Sequence, residues 1–136
     1  MRMAARTLFR VTGSVMVIRQ GTEPANEHEW RGLLTELGQR DLTKLRVLIA
    51  TDGGGPSAEQ RSSLKVTMAG RSVRTAVVSD SMKIRFTIAT IALINREHHG
   101  FSNRELSQAY EFLQLTPAER GDTEDTLRQL GNLLGQ

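Results

Sequence analysis

One segment, LRVLIATDGGGPSAEQR at residues 45–61, constrains the fold of this chain more than any other. Its first seven residues are apolar almost without a break, which is typical of a central strand that is covered on both faces. Three glycines follow, and Pro56 suits the first position of a helix because its fixed φ angle is helical. The segment therefore predicts a strand, a bend and a helix in immediate succession, as in α/β folds.

The glycine-rich bend is the first candidate site. The residues that it places at the carboxyl edge of the predicted sheet are Asp52, Gly53, Gly54, Gly55 and Ser57. Open α/β domains bind ligands and partners at this edge, and glycines allow backbone N–H groups to converge on an anion beside a helix N-terminus. The glycine spacing fits neither a Walker A loop nor the G-x-G-x-x-G motif. We predict that these five residues contact a partner or an anion, the alternative being a purely structural connection.

Two roles suit Ser57. It is a candidate phosphoacceptor, because a phosphate would add nearly two negative charges beside a helix N-terminus and could switch a partner contact. Ser57 and Gln60 also have the spacing of a capping box, so the serine could instead cap the helix and shift its first residue.

The remaining patterns predict alternating strands and helices. A glycine turn at residues 12–14 joins two short apolar runs in a hairpin, and Asn26 is positioned to cap a helix whose apolar stripe covers residues 30–37. A strand follows at 74–79, and Ser102 and Glu105 have the spacing of a second capping box. The order β-β-α-β-α-β-α-(β)-α predicts an α/β fold with a mixed four- or five-stranded sheet and helices packed on it.

The helix predicted at residues 82–95 is apolar around most of its circumference. Two stripes share this character and lie on nearly opposite sides: an isoleucine stripe of Ile84, Ile88 and Ile91, and a Phe86 stripe of Met82, Phe86, Ala89 and Leu93. Such a helix is either deeply buried in its own domain or covered by a partner at an interface. We predict that the isoleucine stripe forms an interface with a partner or a second copy. The alternative is that the C-terminal helix covers it.

Composition excludes several functions. The 136 residues include no cysteine, which excludes disulfides, thiolate catalysis and cysteine zinc sites and suits the cytoplasm. Lys and Arg exceed Asp and Glu by only three, and they are scattered without interleaved aromatic residues, so we predict no nucleic-acid partner. The longest near-apolar run, at 84–94, is too short and too polar to span a bilayer, so we predict no integral membrane association.

No group of side chains predicts catalysis. His98 and His99 are adjacent, so on a strand they would point to opposite faces and could not easily share a metal ion. Asp52 and Asp80 follow neighbouring predicted strands, where two carboxylates could bind a cation or act as acid and base; helix capping is the simpler reading. We predict no catalytic residue, no metal and no cofactor.

Five segments together resemble a STAS-type domain, the fold of anti-sigma-factor antagonists, in a divergent branch that is also similar to lipid-binding CRAL-TRIO (Sec14) proteins. They are VMVIRQG, EHEWRGLLTEL, VLIATDGGGPSAEQR, RTAVVSD and FSNRELSQAYEFL, within residues 8–115. The resemblance implies a STAS-like domain at 1–116, with a helical tail at 117–136. In antagonists the phosphorylated serine directly follows an aspartate, whereas three glycines and a proline separate Asp52 from Ser57.

The function implied by this resemblance is a non-catalytic protein-interaction module, in bacterial signalling or as a scaffold. We expect it to dock protein partners through the 52–60 edge and the third helix, to self-associate as a homo-oligomer and to act in the cytoplasm. The similarity to Sec14 proteins implies an alternative, a carrier of a small ligand such as a lipid or a nucleotide.

Overall fold

The protein forms a five-stranded mixed sheet. The computed structural model describes residues 4–135, so residues 1–3 of the predicted domain and residue 136 of the predicted tail lie outside the described residues. The strands are β1 (Thr7–Thr12), β2 (Val15–Gln20), β3 (Arg46–Thr51), β4 (Arg74–Val78) and β5 (His98–Phe101). They lie in the order β1-β2-β3-β4-β5, with β1 antiparallel to β2 and the other neighbours parallel. The predicted fold class and element order are confirmed.

Helices cover both faces of the sheet. They are α1 (Glu27–Gln39), α2 (Ala58–Met68), α3 (Met82–Ala92), α4 (Leu106–Phe112) and α5 (Pro117–Leu133), with a 3-10 turn at Asn103–Glu105. Because parallel strands that are neighbours in sequence are also neighbours in the sheet, crossovers of the usual right hand place α1, α2 and α3 on the same side. The other side is covered by α4 and α5.

Two apolar cores follow from the alternation of side chains along the strands. On the α1–α3 face, Met16 and Val47 pack with apolar residues of α1 and α2 and with Ile94 just after α3. On the α4–α5 face, Val17 and Leu48 pack with residues of α4 and α5. The segment predicted as a helical tail forms α5, and Leu130 of this helix is 4% exposed within the α4–α5 core.

Local capping signals fix where the helices begin. Asn26 and Glu29 form a complete capping box, and so do Ser57 with Gln60 at α2. Of the two helix starts that the sequence leaves open, at Pro56 or after a Ser57 cap, the structure has the second: Ser57 is the N-cap, and α2 begins at Ala58. The two bonds of the capping box define the start, because they occupy backbone N–H groups that the first turn leaves free.

Candidate functional site

The glycine-rich bend is held by hydrogen bonds within the fold. The Thr51 hydroxyl donates to the Gly54 carbonyl at 2.6 Å and accepts from the Gly53 N–H at 3.1 Å. The Gly54 N–H donates to the Gly21 carbonyl at 2.8 Å. Since the N–H groups of Gly53 and Gly54 are already bonded, they are not available in this conformation to bind an anion.

Asp52 is exposed at the same edge and paired. Its two carboxylate oxygens accept from Nη2 of Arg19 at 3.0 and 3.1 Å. Asp80, which follows β4, accepts instead from the backbone N–H and side-chain amide of Asn103 at 2.9 and 3.0 Å. The two aspartates thus have separate partners rather than facing each other as an acid–base or cation-binding pair.

Ser57 is half-buried at the start of α2. Its hydroxyl oxygen accepts from the Gln60 N–H at 3.2 Å, and the Gln60 side chain accepts from the Ser57 N–H at 3.1 Å. Gln60 also donates to the Ala25 carbonyl at 2.8 Å, which ties the start of α2 to the loop before α1. The capping role of Ser57 is therefore confirmed, and its phosphorylation stays a prediction.

The strand order explains why the bend forms no open crevice. In open α/β sheets such a crevice lies where the strand order reverses. From β2 to β5 the order does not reverse, so successive loops pack side by side. A β-carbon on Gly55 would lie 2.9 Å from the Thr87 methyl group of α3. The bend is consequently packed against α3, and the two surfaces predicted to dock partners are neighbours.

The isoleucine stripe, on which an interface was expected, faces the inside of the protein, and the opposite face of α3 is exposed. Ile84 and Ile91 are only 4% and 3% exposed, because they face the sheet, and Ile88 lies half-buried over Gly100 of β5. The sheet, rather than α5, covers this stripe. Periodicity alone could not tell the two faces apart, since both stripes are apolar.

The Phe86 stripe lies in solvent. Met82, Phe86 and Leu93 are 67%, 82% and 87% exposed. Three exposed cations lie on or just after the same helix, and within residues 4–135 none of them forms an ion pair: Lys83, Arg85 and Arg96. The helix thus presents an apolar stripe flanked by positive charge.

Beneath α3 lies a cavity of about 110 Å³, between the α1–α3 face of the sheet and the helices α1, α2 and α3. The bend residues Gly54 and Gly55 line one part of it. Its apolar lining comes from all of these elements and includes Ile18, Trp30, Leu33, Leu34, Leu37, Val47, Ile49, Leu64, Met68, Val77, Ile84, Ile88 and Ile91. Among the described residues, no Lys, Arg, Asp or Glu lines it.

Asn95 and Thr75 are polar residues of the cavity wall that are satisfied by their neighbours. The Asn95 amide donates to the Val73 carbonyl at 2.8 Å and to the Thr75 hydroxyl at 3.2 Å, and its oxygen accepts from the Val73 N–H at 3.0 Å. The Thr75 hydroxyl donates to the Val73 carbonyl at 3.0 Å. Asn95 is 4% exposed, so this network fixes the chain after α3 to the start of β4.

His98 also lines the cavity, and its ring forms no hydrogen bond with any part of the chain that the structure describes. Burial, with a smaller contribution from the charge of His99, lowers the pKa of His98 to about 4. The ring is therefore neutral near pH 7. A neutral imidazole has one donor and one acceptor nitrogen, so His98 offers the cavity a hydrogen-bonding group.

The expected opposite orientation of the two histidines is confirmed. His99 lies on the α4–α5 face, where its ring contacts the Phe112 ring with centroids 4.7 Å apart. Residues 4–135 contain no group of three metal-binding side chains. In the sequence, His98 is distinguished only as half of this adjacent pair. The signal that could have placed it in the cavity is its register with Thr75, whose side chain lies on the same face.

No protein-family model matches this chain, and no curated protein matches its sequence significantly. Across residues 4–135, the helices are too short or too polar to cross a bilayer. Two features of the molecule bear on its function: the exposed Phe86 stripe and the cavity beneath α3.

Proposed function

We propose that this chain is a non-catalytic protein-interaction module of the cytoplasm, in bacterial signalling or as a scaffold, and that it docks a protein partner through the exposed face of α3. The observation that supports the proposal is the exposure of Phe86 and Leu93, both above 80%. Large apolar side chains grouped on a surface are typical of contact sites. The role agrees with the STAS-like resemblance of the sequence.

The charges around this face define the partner. Lys83 and Arg85 flank the apolar stripe on α3 and Arg96 follows the helix, so the complementary surface is apolar at its centre and acidic at its rim. Pairing two copies through α3 in a symmetric dimer would bring the same cations together. The proposed partner is therefore a different protein, and a homo-oligomer, where one forms, would use another surface.

The test compares two variants of the chain on immobilised supports. Phe86→Ser/Leu93→Ser removes the apolar centre of the docking face, whereas Val66→Ser removes an apolar residue of α2 that is 79% exposed. We expect one acidic host protein to bind stoichiometrically to the wild type and the Val66 variant, but not to the α3 variant. Equal binding to all three, or binding only to anionic vesicles, would contradict the proposal.

A second candidate function, a small-ligand carrier, is favoured by the cavity beneath α3. Its lining is almost entirely apolar, which suits an apolar ligand better than a nucleotide, since phosphate groups need cationic or N–H partners. Native mass spectrometry of the protein purified from its own host tests this function. A retained small molecule would support the carrier, and a bare chain at every purification would contradict it.

A further inference from the structure

We infer that the cavity beneath α3 binds a small, uncharged and largely apolar molecule about the size of one aromatic ring, and that one polar group of this molecule forms a hydrogen bond with His98. The inference deepens the carrier function, on which it rests, by assigning the chemical class of the ligand. It is independent of partner docking through the Phe86 stripe, because the two sites use opposite sides of α3.

The size of the ligand follows from the volume. The cavity holds about 110 Å³. An engineered apolar cavity of about 150 Å³ in another protein stays dry and binds benzene. The present cavity is of the same order and partly open to solvent, so a single ring fits, with part of it near the opening. A long acyl chain would not fit without displacement of a helix.

The chemistry follows from the lining. A charged group would lose its hydration without gaining an ionic partner, because no charged side chain of the described residues reaches the cavity. Thr51, Thr75 and Asn95 already use their polar atoms within the fold. Within residues 4–135, the Thr87 hydroxyl and the His98 ring are the polar side-chain groups of the lining that form no hydrogen bond. Thr87 packs against Gly55 of the bend, whereas both nitrogens of the His98 ring are free of partners in the described part of the chain. A ligand hydroxyl could donate to one nitrogen or accept from the other.

The arrangement of the helices provides an entrance. The backbone of α2 packs beside α1, whereas it has little contact with that of α3. Leu64 of α2 and Ile88 of α3 line the cavity and are only half-buried. Side chains of this kind can move aside without disturbing the sheet, so a ligand can enter between the two helices.

Benzene, phenol and benzoate are matched probes, since they share a ring and differ in one substituent. Binding is measured by chemical-shift changes in ¹⁵N-labelled protein during titration. We expect benzene and phenol to shift the amides of residues that line the cavity, with phenol binding roughly fivefold more tightly because of one added hydrogen bond. Benzoate is expected not to bind, because the cavity offers no ionic partner.

Three variants complete the test. Ile49→Phe fills the cavity from the centre of the sheet and should abolish binding of both neutral probes. Leu8→Phe likewise replaces an aliphatic side chain with phenylalanine, at a partly buried residue of the α4–α5 face, and should leave binding unchanged. His98→Leu should remove the preference for phenol over benzene while benzene still binds.

The outcomes separate the ligand class from the carrier function. If neither neutral probe shifts the cavity residues, or if Ile49→Phe binds them as the wild type does, the assigned ligand class is wrong. A ligand retained from the host would in that case still support a carrier. If phenol keeps its advantage in His98→Leu, the role of His98 is wrong, whatever the other probes show.

Discussion

Gly54 lies so close to Glu23 that a β-carbon placed on the glycine would be 2.4 Å from the Glu23 carbonyl oxygen. The same β-carbon would lie 2.8 Å from the Gly21 carbonyl oxygen, which accepts a hydrogen bond from the Gly54 N–H. Both neighbours are backbone atoms, which cannot turn away as a flexible side chain can. The middle glycine of the bend is thus required by packing against the 21–23 loop.

We therefore expect Gly54→Ala to lower the free energy of unfolding by about 2 kcal/mol, the range typical of overpacking a tight site. Gly38→Ala is the matched control, because Gly38 is exposed in α1 and a β-carbon there meets no other atom within 4 Å. This control should raise stability by about 0.5–1 kcal/mol. Denaturant titration measures both changes. Equal stability of Gly54→Ala and the wild type would contradict the prediction, because it would mean that the 21–23 loop moves away from the added β-carbon at little cost.

Local signals in the sequence predicted most of the elements. The hairpin at residues 12–14 and the capping residues Asn26 and Ser102 act within a few residues of chain, so their geometry is determined by local sequence. The strand in parentheses in the predicted order is β5, which forms because His98 to Phe101 pair with β4. Pairing depends on a distant strand and has no local signal.

The candidate site could be predicted only in part, for a topological reason. Gly54 and Gly55 line part of a cavity and not a crevice at an open sheet edge, because the strand order does not reverse next to β3. The cavity itself is assembled from strands and helices that are far apart in sequence. Its polar residue His98 had no local pattern that distinguished it from His99.

The assignment of faces on α3 predicts a difference between two variants of that helix. Ile91→Ala removes a side chain that is 3% exposed and should lower the free energy of unfolding by about 2–3 kcal/mol. Phe86→Ala removes one that is 82% exposed and should change it by less than about 0.5 kcal/mol. Thermal and denaturant unfolding measure both. Greater destabilisation by Phe86→Ala would reverse the assigned faces.

Asn95 should be among the most sensitive polar residues. Asn95→Ala leaves the Val73 N–H without its partner in a buried position, so we expect a loss of about 3 kcal/mol. Asn103→Ala is the control, because its side chain is exposed and bonds to Asp80 at the surface; its cost should be below about 1 kcal/mol. Hydrogen exchange of the Val73 amide gives a second measurement, and unchanged protection in Asn95→Ala would contradict the assigned bond.

The ion pair between Arg46 and Glu119 joins β3 to the first turn of α5. Hydrogen bonds from Arg46 and from the Thr116 backbone N–H lower the pKa of Glu119 below its ordinary value of 4.5. A carboxyl group whose pKa is lowered by folding stabilises the protein at pH values above its ordinary pKa. This contribution is lost as the pH falls through the lower pKa of the folded state. Glu119→Gln should therefore be less stable than the wild type at pH 7, with the difference shrinking below pH 4.5.

Glu111→Gln is the control for this prediction, since Glu111 is exposed on α4 and its carboxylate has no ion-pair partner within residues 4–135. Its stability should follow that of the wild type from pH 7 to pH 3. If Glu119→Gln did the same, the contact between Arg46 and Glu119 would contribute nothing to folding.

The burial of His98 should make the protein less stable at acidic pH, whereas a histidine with a raised pKa would make it more stable there. Because burial lowers its pKa from 6.5 to about 4, the unfolded chain binds a proton between these values while the folded chain does not. The free energy of unfolding should therefore fall as the pH decreases from 6.5 to 4, by at most about 3 kcal/mol, and become level above 6.5. His98→Gln should remove this part of the acid loss, whereas His28→Gln, at an exposed residue of α1, should retain it. Denaturant titrations at half-unit pH intervals compare the stabilities of the three proteins. An NMR titration that gave the His98 ring a pKa near 6.5 would show that the ring is not held in an apolar cavity.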